Sequence, residues 1–385
     1  MNVLFLCWEY PPVGSGIGRY VAEMSSALRG IGHRTVVLTS RAPGLPERET
    51  VAGGEILRLF DRREIRSARV ARLARDVARQ HRIDWIETAD HWGEGAALLR
   101  LQDRPPVVVK MHYNDVLKTP RYAQAWYAWQ KPMIDLACIR QWRSIRAERF
   151  GIEHADVLLA PCRRIVAEAE RQGLALPARR AVIPNPCDVV PAWENREAPA
   201  PTVLLVGRCD VGKGLPYLRG LLEQWIPRFP DVALEIAGGD GYARGLGSLR
   251  GWVDRQLGPL RRHVRFLGVL GRAEMDAAYR RAWVVIVPSR WDTFPQTVLE
   301  AMARAKAIVA SPHGGMPEML ADTAGAIADP DTPDFGIRVR QWLEDEPSRR
   351  AAGNTARQKA QTAYAAVPLA RQYVQFVGSG LKSET

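Results

Sequence analysis

Two acidic side chains eight positions apart, Asp292 and Glu300, lie in the run Trp291-Asp292-Thr293-Phe294-Pro295-Gln296-Thr297-Val298-Leu299-Glu300-Ala301-Met302-Ala303. The apolar stretch Val284–Val287 precedes it, and Pro295 carries the fixed φ that suits a helix's first turn. The spacing predicts a helix with Pro295 in its first turn, Asp292 in the loop before it and Glu300 one to two turns inside. Backbone N–H groups of Phe294, Gln296 and Thr297 would then face an anion, which the helix dipole also favours. Carboxylates flanking that anion are placed to hold hydroxyl groups of a sugar and a ribose. A solvated pair of acids has the same spacing, so the chemistry depends on what accompanies them.

Cations accompany them. Val203–Val206 leads into Gly207 and Arg208, then Gly212-Lys213-Gly214. Arginine offers a fork for two oxygens of one phosphate and lysine a mobile point charge. Two cations near a helix start suit a diphosphate, although a surface lysine and a salt-bridged arginine are the plain alternative. A Walker A loop would need Ser or Thr where Gly214 stands, which excludes a P-loop ATPase or kinase. Near the N-terminus, Gly14-Ser15-Gly16-Ile17-Gly18 stands between the apolar run Val3–Trp8 and the helical stretch Arg19–Arg29. Such a loop lets backbone near Gly16 approach a phosphate. Its G-x-G-x-G spacing is not the dinucleotide fingerprint, and a tight turn without a ligand explains it equally.

These residues need elements to hold them. Short apolar runs alternate with helical stretches, as at Thr35–Thr39, Val107–Val109 and Val157–Ala160, and the rhythm continues with further strands at Ala233–Ala237 and Val264–Leu267. Continuous apolar runs between helices indicate parallel strands buried on both faces, hence an α/β fold. Pro191–Pro201, rich in Pro and Ala, breaks the rhythm as a linker would. We therefore expect an N-terminal domain over residues 1–190, a second over 191–362, and a last segment, 363–385, whose helical pattern from Ala363 to Val377 packs back on the first. At roughly 150 residues per domain, 385 residues agree with two.

Composition narrows the class. Hydrophobic residues at 46% and charged residues at 25% exclude a disordered or fibrous chain. No apolar run approaches the roughly 18 to 20 residues of a membrane span, and Val3–Cys7 reads as a buried strand in place of a signal peptide. Five scattered cysteines without a C-x-x-C pair exclude a disulfide framework and favour a reducing compartment, so a cytoplasmic location is expected. The net charge is +12 (54 basic, 42 acidic), with 29 basic and 21 acidic residues within 1–190 and 25 and 21 beyond. Such an excess favours anionic partners. No nucleic-acid module accompanies it. Eight arginines between Arg62 and Arg82 face Ile65, Val70, Leu73 and Val77, and Tyr122–Phe150 mixes Trp126, Tyr127, Trp129 and Trp142 with Arg140, Arg143, Arg146 and Arg149. The first reads as a surface helix, with peripheral contact to an anionic inner membrane face as the sharper alternative, and the second as core and helix packing, with a lipid-linked or carbohydrate acceptor as its alternative.

Taken together and in order, the motifs resemble those of GT-B glycosyltransferases of the large retaining family 4, over nearly the whole length. EYPPVGSGIGRYVAEMSSALRGIGHRTVVLT resembles that family's opening strand, phosphate loop and first helix; VVVKMH the strand that delivers a histidine, here His112. VIPNPCD resembles the end of the first domain, VGRCDVGKG the donor-site Arg and Lys, and WDTFPQTVLEAMARAKAIVASPHGGMPEML the E-x7-E signature with its following turn. The resemblance implies two Rossmann-like domains with an interdomain cleft, and transfer of a hexose from a UDP- or GDP-type sugar nucleotide to a glycan, glycolipid or small-molecule hydroxyl. It implies catalytic or donor-binding roles for Gly16, His112, Arg208, Lys213, Asp292, Phe294, Pro295, Gln296 and Glu300, with Asp292 on the donor sugar and Glu300 on the ribose. Asp292 departs from the signature, being one methylene shorter than its Glu. No cofactor and no metal are expected: the D-x-D string Asp329-Pro330-Asp331 lies in a Pro-rich loop, and the seven histidines show no ligand spacing. Glu87 and Asp90, in Asp84–Trp92, are candidate acceptor ligands, an ordinary loop being the alternative. A sugar-nucleotide epimerase of similar fold and a non-catalytic nucleotide binder remain as other readings.

Overall fold

The structure is a computed structural model; it describes residues 1–12, 16–112, 114–118, 131–189, 191–243 and 245–379, with only the backbone over 131–141. Two compact units divide the chain: Met1–Pro186 together with the C-terminal stretch from Tyr364, and Cys187–Ala363.

In the first unit, β1 (Asn2–Leu6), β2 (Arg34–Ser40), β3 (Arg48–Val51), β4 (Gly54–Phe60), β5 (Trp85–Ala89), β6 (Val107–Lys110), β7 (Val157–Ala160) and β8 (Arg180–Val182) form one sheet. Their order is β3-β4-β2-β1-β5-β6-β7-β8, parallel throughout except for β3 against β4. β1 is central: Val3 pairs with Thr35 of β2 and with Trp85 of β5. Its run from Val3 to Cys7 is buried because helices cover both faces. Helix α1 (Gly16–Gly30) buries Tyr20, Val21, Met24 and Leu28 in this core.

The helix Ala366–Ser379 closes the same core with Leu369, Ala370, Tyr373 and Val377. Burying Leu369, Tyr373 and Val377 contributes on the order of 5 kcal/mol before ordering costs. Trp85 Nε1 donates to Tyr373 Oη at 2.8 Å, and Arg179 donates to the Phe376 and Val377 carbonyls at 3.2 and 2.7 Å. Those carbonyls lie in the last turn, where intrahelical donors run out.

The arginine-rich stretch is a 3-10 turn, Arg62–Glu64, followed by helix α2 (Ala68–Gln80), whose Val70, Ala71, Ala74 and Val77 are buried. Glu64 pairs with Arg69 at 3.0 Å, Asp76 with Arg75 at 2.9 Å, and Asp103 with both Arg75 and Arg79. This is a surface helix with partly neutralised charge. Trp126, Tyr127, Trp129 and the Arg140 side chain lie outside the described residues; Trp142 is 57% exposed, with Arg146 4.5 Å from its ring. Among the described residues no helix is long and apolar enough to cross a membrane.

The second unit holds β9 (Thr202–Val206), β10 (Ala233–Ala237), the short pair β11 (Tyr242–Ala243) and β12 (Gly247–Ser248), β13 (Val264–Gly268), β14 (Val284–Val287), β15 (Ala307–Ala310) and β16 (Ala326–Ile327). Its main sheet is wholly parallel in the order β13-β10-β9-β14-β15-β16, the doubly wound arrangement. The order reverses between β9 and β14 here, and between β1 and β5 in the first sheet. Loops leaving the carboxyl ends diverge at such reversals and open a crevice.

Candidate functional site

The loops after β9 and β14 carry the residues that the sequence singles out. Gly207 follows β9 at φ +145, and a Cβ on Gly238, after β10, would come within 2.0 Å of its carbonyl oxygen. Asp210 then shapes the cation-bearing turn: its Oδ1 accepts the Gly212 N–H at 2.8 Å and its carbonyl the Lys213 N–H at 2.9 Å. Gly214 leaves the turn at φ +94, and a Cβ there would sit 2.5 Å from Pro288 Cγ, so only glycine lets the two loops press together. The Arg290 N–H donates to the Gly212 carbonyl at 2.8 Å across the same seam. Over it, the Lys213 ammonium pairs with the Asp292 carboxylate, the side chains being 31% and 10% exposed. Arg208 is 72% exposed and reaches Asp210 Oδ2 at 3.4 Å.

The loop after β14 ends in the helix Gln296–Ala303. Pro295 has ψ 127 and caps this helix from outside, a correction to the expectation that it forms the first turn. Val298 is the first residue whose N–H reaches a carbonyl in the ladder, that of Pro295 at 3.0 Å, so Gln296 and Thr297 supply the helix-start donors, with Phe294 in the loop before. The Thr297 hydroxyl donates to the Val206 carbonyl at 3.3 Å and pins the helix start over the end of β9. Asp292 is fixed from behind. Its carbonyl accepts the Gly315 N–H at 3.1 Å, and a Cβ on Gly314 would lie 1.9 Å from that oxygen. Glu300, just over a turn in, accepts the Tyr279 hydroxyl at 3.0 Å.

Sequence reasoning passed over two participants. Asp210 had a signal, since Asp two residues before a glycine is a turn former. Thr293 had none: its hydroxyl, like the Gln296 amide nitrogen, is shut off from solvent without a protein partner. Buried polar groups are nearly always hydrogen-bonded, so these two atoms beside a helix start depart from the usual pairing. The D-x-D string is a closed turn: Asp329 Oδ1 accepts the Asp331 N–H at 2.9 Å, and Asp331 Oδ1 accepts the Tyr217 hydroxyl at 2.9 Å. Among the described residues no group of three or more His, Cys, Asp or Glu is arranged to hold a metal ion.

In the first unit Gly14 and Ser15 lie outside the described residues, while Gly16 opens α1. A Cβ on Gly18 would meet the Glu9 carbonyl at 3.0 Å, so glycine lets α1 close on the loop leaving β1. His112 follows β6, its ring edge-on to Tyr20 with 4.5 Å between centroids. Burial, and after it the Lys110 charge, pushes the imidazole pKa well below its usual range, which keeps the ring neutral.

The acceptor role expected for Asp90 and Glu87 gives way to a structural one. Asp90 is buried, with Oδ1 accepting the His112 N–H at 2.9 Å and Oδ2 the Asn114 amide at 2.6 Å. It positions the loop that carries His112. Glu87 is buried within β5 near Tyr373 and Lys110, and burial raises its pKa to about 7.

An aromatic pile stands on the same rim. Trp8 after β1 stacks on Trp92 after β5 with centroids 5.3 Å apart; Arg62 lies 5.2 Å from the Trp8 ring and His91 4.5 Å from Trp92. Trp92 sits at φ 54, ψ 9. For a residue with a Cβ this left-handed conformation costs roughly 1–2 kcal/mol.

Solved structures share this architecture. Sucrose-phosphate synthase from Thermosynechococcus elongatus matches with a TM-score of 0.82 at 20% identity over 100% of each chain. HepE from Anabaena, in complex with UDP-glucose, matches with 0.74 at 17% over 98% of this chain and 100% of that one. The fold is GT-B: two parallel-sheet α/β units of Rossmann type.

Sequence relatives carry the assignment from fold to family. The family described as Glycosyl transferase 4-like domain matches residues 15–186, and that described as Glycosyl transferases group 1 matches residues 192–359. A glycogen synthase of Mycobacterium tuberculosis is 28% identical over 399 aligned positions, spanning 93% of this chain and 90% of its own. The chain belongs to the group 1, GT4-type glycosyltransferases and is a sugar-transferring enzyme.

Proposed function

We propose that the chain is a retaining hexosyltransferase that takes its sugar from a nucleoside diphosphate and gives it to a hydroxyl group in glycan, polysaccharide or glycolipid synthesis. One observation carries this reading: the Lys213–Asp292 pair spans the β9/β14 switch point beside a helix start whose Thr293 and Gln296 polar groups have no protein partner. The UDP-glucose held by the HepE relative makes that compound the first donor to try.

In this reading the diphosphate lies against the helix start and the two cations, and Glu300 holds the ribose. As the anomeric C–O bond breaks, negative charge grows on the departing phosphate, and Lys213, Arg208 and the Gln296 and Thr297 N–H groups stabilise it from fixed positions. Asp292 exchanges Lys213 for a sugar hydroxyl when the phosphate takes the ammonium. Neutral His112 contacts the transferring sugar and does not act as a free base. The acceptor oxygen bonds to the anomeric carbon on the face the phosphate leaves, and its proton passes to the departing phosphate oxygen, so configuration is retained. No metal is required in this scheme. Buried thiols at Cys7, Cys162, Cys187 and Cys209 agree with work in a reducing compartment, the cytoplasm.

Incubation with labelled UDP-glucose and GDP-mannose, after a thermal-shift panel of nucleoside diphosphates, tests the proposal. Transfer to an added sugar, or slow hydrolysis, is expected. An isomerised donor would mark an epimerase, and an untouched donor that still raises the melting temperature a binder; either outcome overturns the reading.

A further inference from the structure

Three loops at the carboxyl edge of the first sheet build a feature that donor chemistry does not use. Trp8 leaves β1, Arg62 follows β4 and Trp92 follows β5, and the three form the pile described above, with His91 against Trp92. The Trp92 backbone is held at φ +54, a region that bulky residues seldom occupy, directly before Gly93 at φ +69. The surroundings enforce this. Fully buried Glu148 accepts the Trp92 N–H on Oε1 at 2.9 Å, and its Oε2 accepts the Asp115 and Val116 N–H groups at 2.7 and 3.2 Å. A Cβ on Gly93 would lie 2.5 Å from Ala147 on the helix that carries Glu148.

A glycine at position 92 would follow the same turn without strain. The chain instead keeps a half-buried indole there, on the rim of a switch point, where α/β sheets bind ligands. Strain retained at such a place points to function. Trp8 adds an indole N–H that is shut off from solvent and has no protein partner.

We propose that Trp92, backed by Trp8, is the wall against which a carbohydrate acceptor lies. Ring C–H groups of the sugar rest on the indole, and its hydroxyls turn toward the Arg62 guanidinium and the His91 imidazole. An aromatic group with a polar handle suits a ligand that is apolar on its face and hydroxylated on its edge. The charged and polar borders, Arg62 and His91, favour a sugar over a hydrocarbon chain. This names the acceptor class for the transferase reading above and rests on it.

Trp92→Gly keeps the backbone turn and removes the ring; Trp92→Phe keeps an aromatic. Saturation-transfer NMR with aromatic irradiation, using glucose, maltose and myo-inositol as probes, reads sugar contact without catalysis. The wild-type chain should saturate ring C–H protons of at least one probe, Trp92→Phe should retain the effect, and Trp92→Gly should lose it. Transfer from UDP-glucose to that probe should fall about tenfold in Trp92→Gly through a raised KM, while hydrolysis of UDP-glucose by water stays within about two-fold. Undiminished saturation in Trp92→Gly overturns the proposal. So does a joint fall of transfer, hydrolysis and melting temperature, which would make the ring a packing element. A wild-type chain that consumes no sugar nucleotide would refute the transferase reading, while the NMR result would still decide the wall.

Discussion

Replacing Lys213 by methionine removes one ammonium and keeps the length of its stem, and two effects should follow from one structural fact. The ammonium is the counter-ion of Asp292, whose side chain is 10% exposed against 31% for the lysine. Stranding a carboxylate in a fully buried pair costs about 3–5 kcal/mol, but a lysine open to water by a third reduces that to about 1–2 kcal/mol. At roughly 2–4 °C per kcal/mol for a unit of this size, the second unit should melt about 2–8 °C lower. The effect on turnover is larger. Loss of a preorganised donor facing a departing phosphate costs about 2–4 kcal/mol, or about 30- to 1,000-fold in kcat/KM. The assay is release of UDP from UDP-glucose, with the melting curve as companion and Asp292→Asn as the reciprocal variant. A lowered melting temperature with kcat/KM within about two-fold of wild type would make the pair a structural clasp and refute the reasoning.

Glu300→Ala should weaken binding of free UDP by about tenfold, read by calorimetry, with only about 1 kcal/mol lost from the Tyr279 hydrogen bond; an unchanged Kd argues against a ribose contact. Chelation by EDTA should leave transfer intact, and strict dependence on an added divalent ion would sink the metal-free scheme. Glu87 remains protonated in the folded chain up to about pH 7, whereas its ordinary value is 4.5. The folded state therefore holds the extra proton across that window, and stability present below it is lost as pH rises through it, by on the order of 2–3 kcal/mol. Glu148, held at about 9 by burial, and Glu94, also raised by burial, add to the same slope, so Glu87→Gln should reduce without abolishing the fall of the first unit's melting temperature between about pH 5 and pH 7, as followed by circular dichroism; an undiminished slope in the variant rejects Glu87 as a contributor.

Strands buried on both faces were legible because their apolar runs are continuous, as in β1, β7 and β14. The β3–β4 hairpin was not, since Arg48, Glu49 and Glu55 interrupt the run where water reaches the sheet's edge, and Arg58 is buried only because Glu49 on the neighbouring strand pairs with it at 2.9 Å. The residue types of the donor loops were legible from local turn and helix chemistry. Their partners were not, because Lys213 meets Asp292 across 79 positions only once β9 and β14 lie side by side. Asp90 misled for the same reason. An acid at a strand end looks like a ligand until His112 and Asn114, 22 and 24 residues later, fold onto both its oxygens.

The closing helix gives the chain an order of completion unlike its order of synthesis. β1 is translated well before the surface that seals it: Leu369 to Val377 follows more than 350 residues later, after the whole of Cys187–Ala363. The second unit can finish folding while the first still has an open flank with Tyr20, Met24 and Trp85 uncovered. A nonsense codon or a protease cut in the tail would therefore injure a part of the molecule that was made earlier.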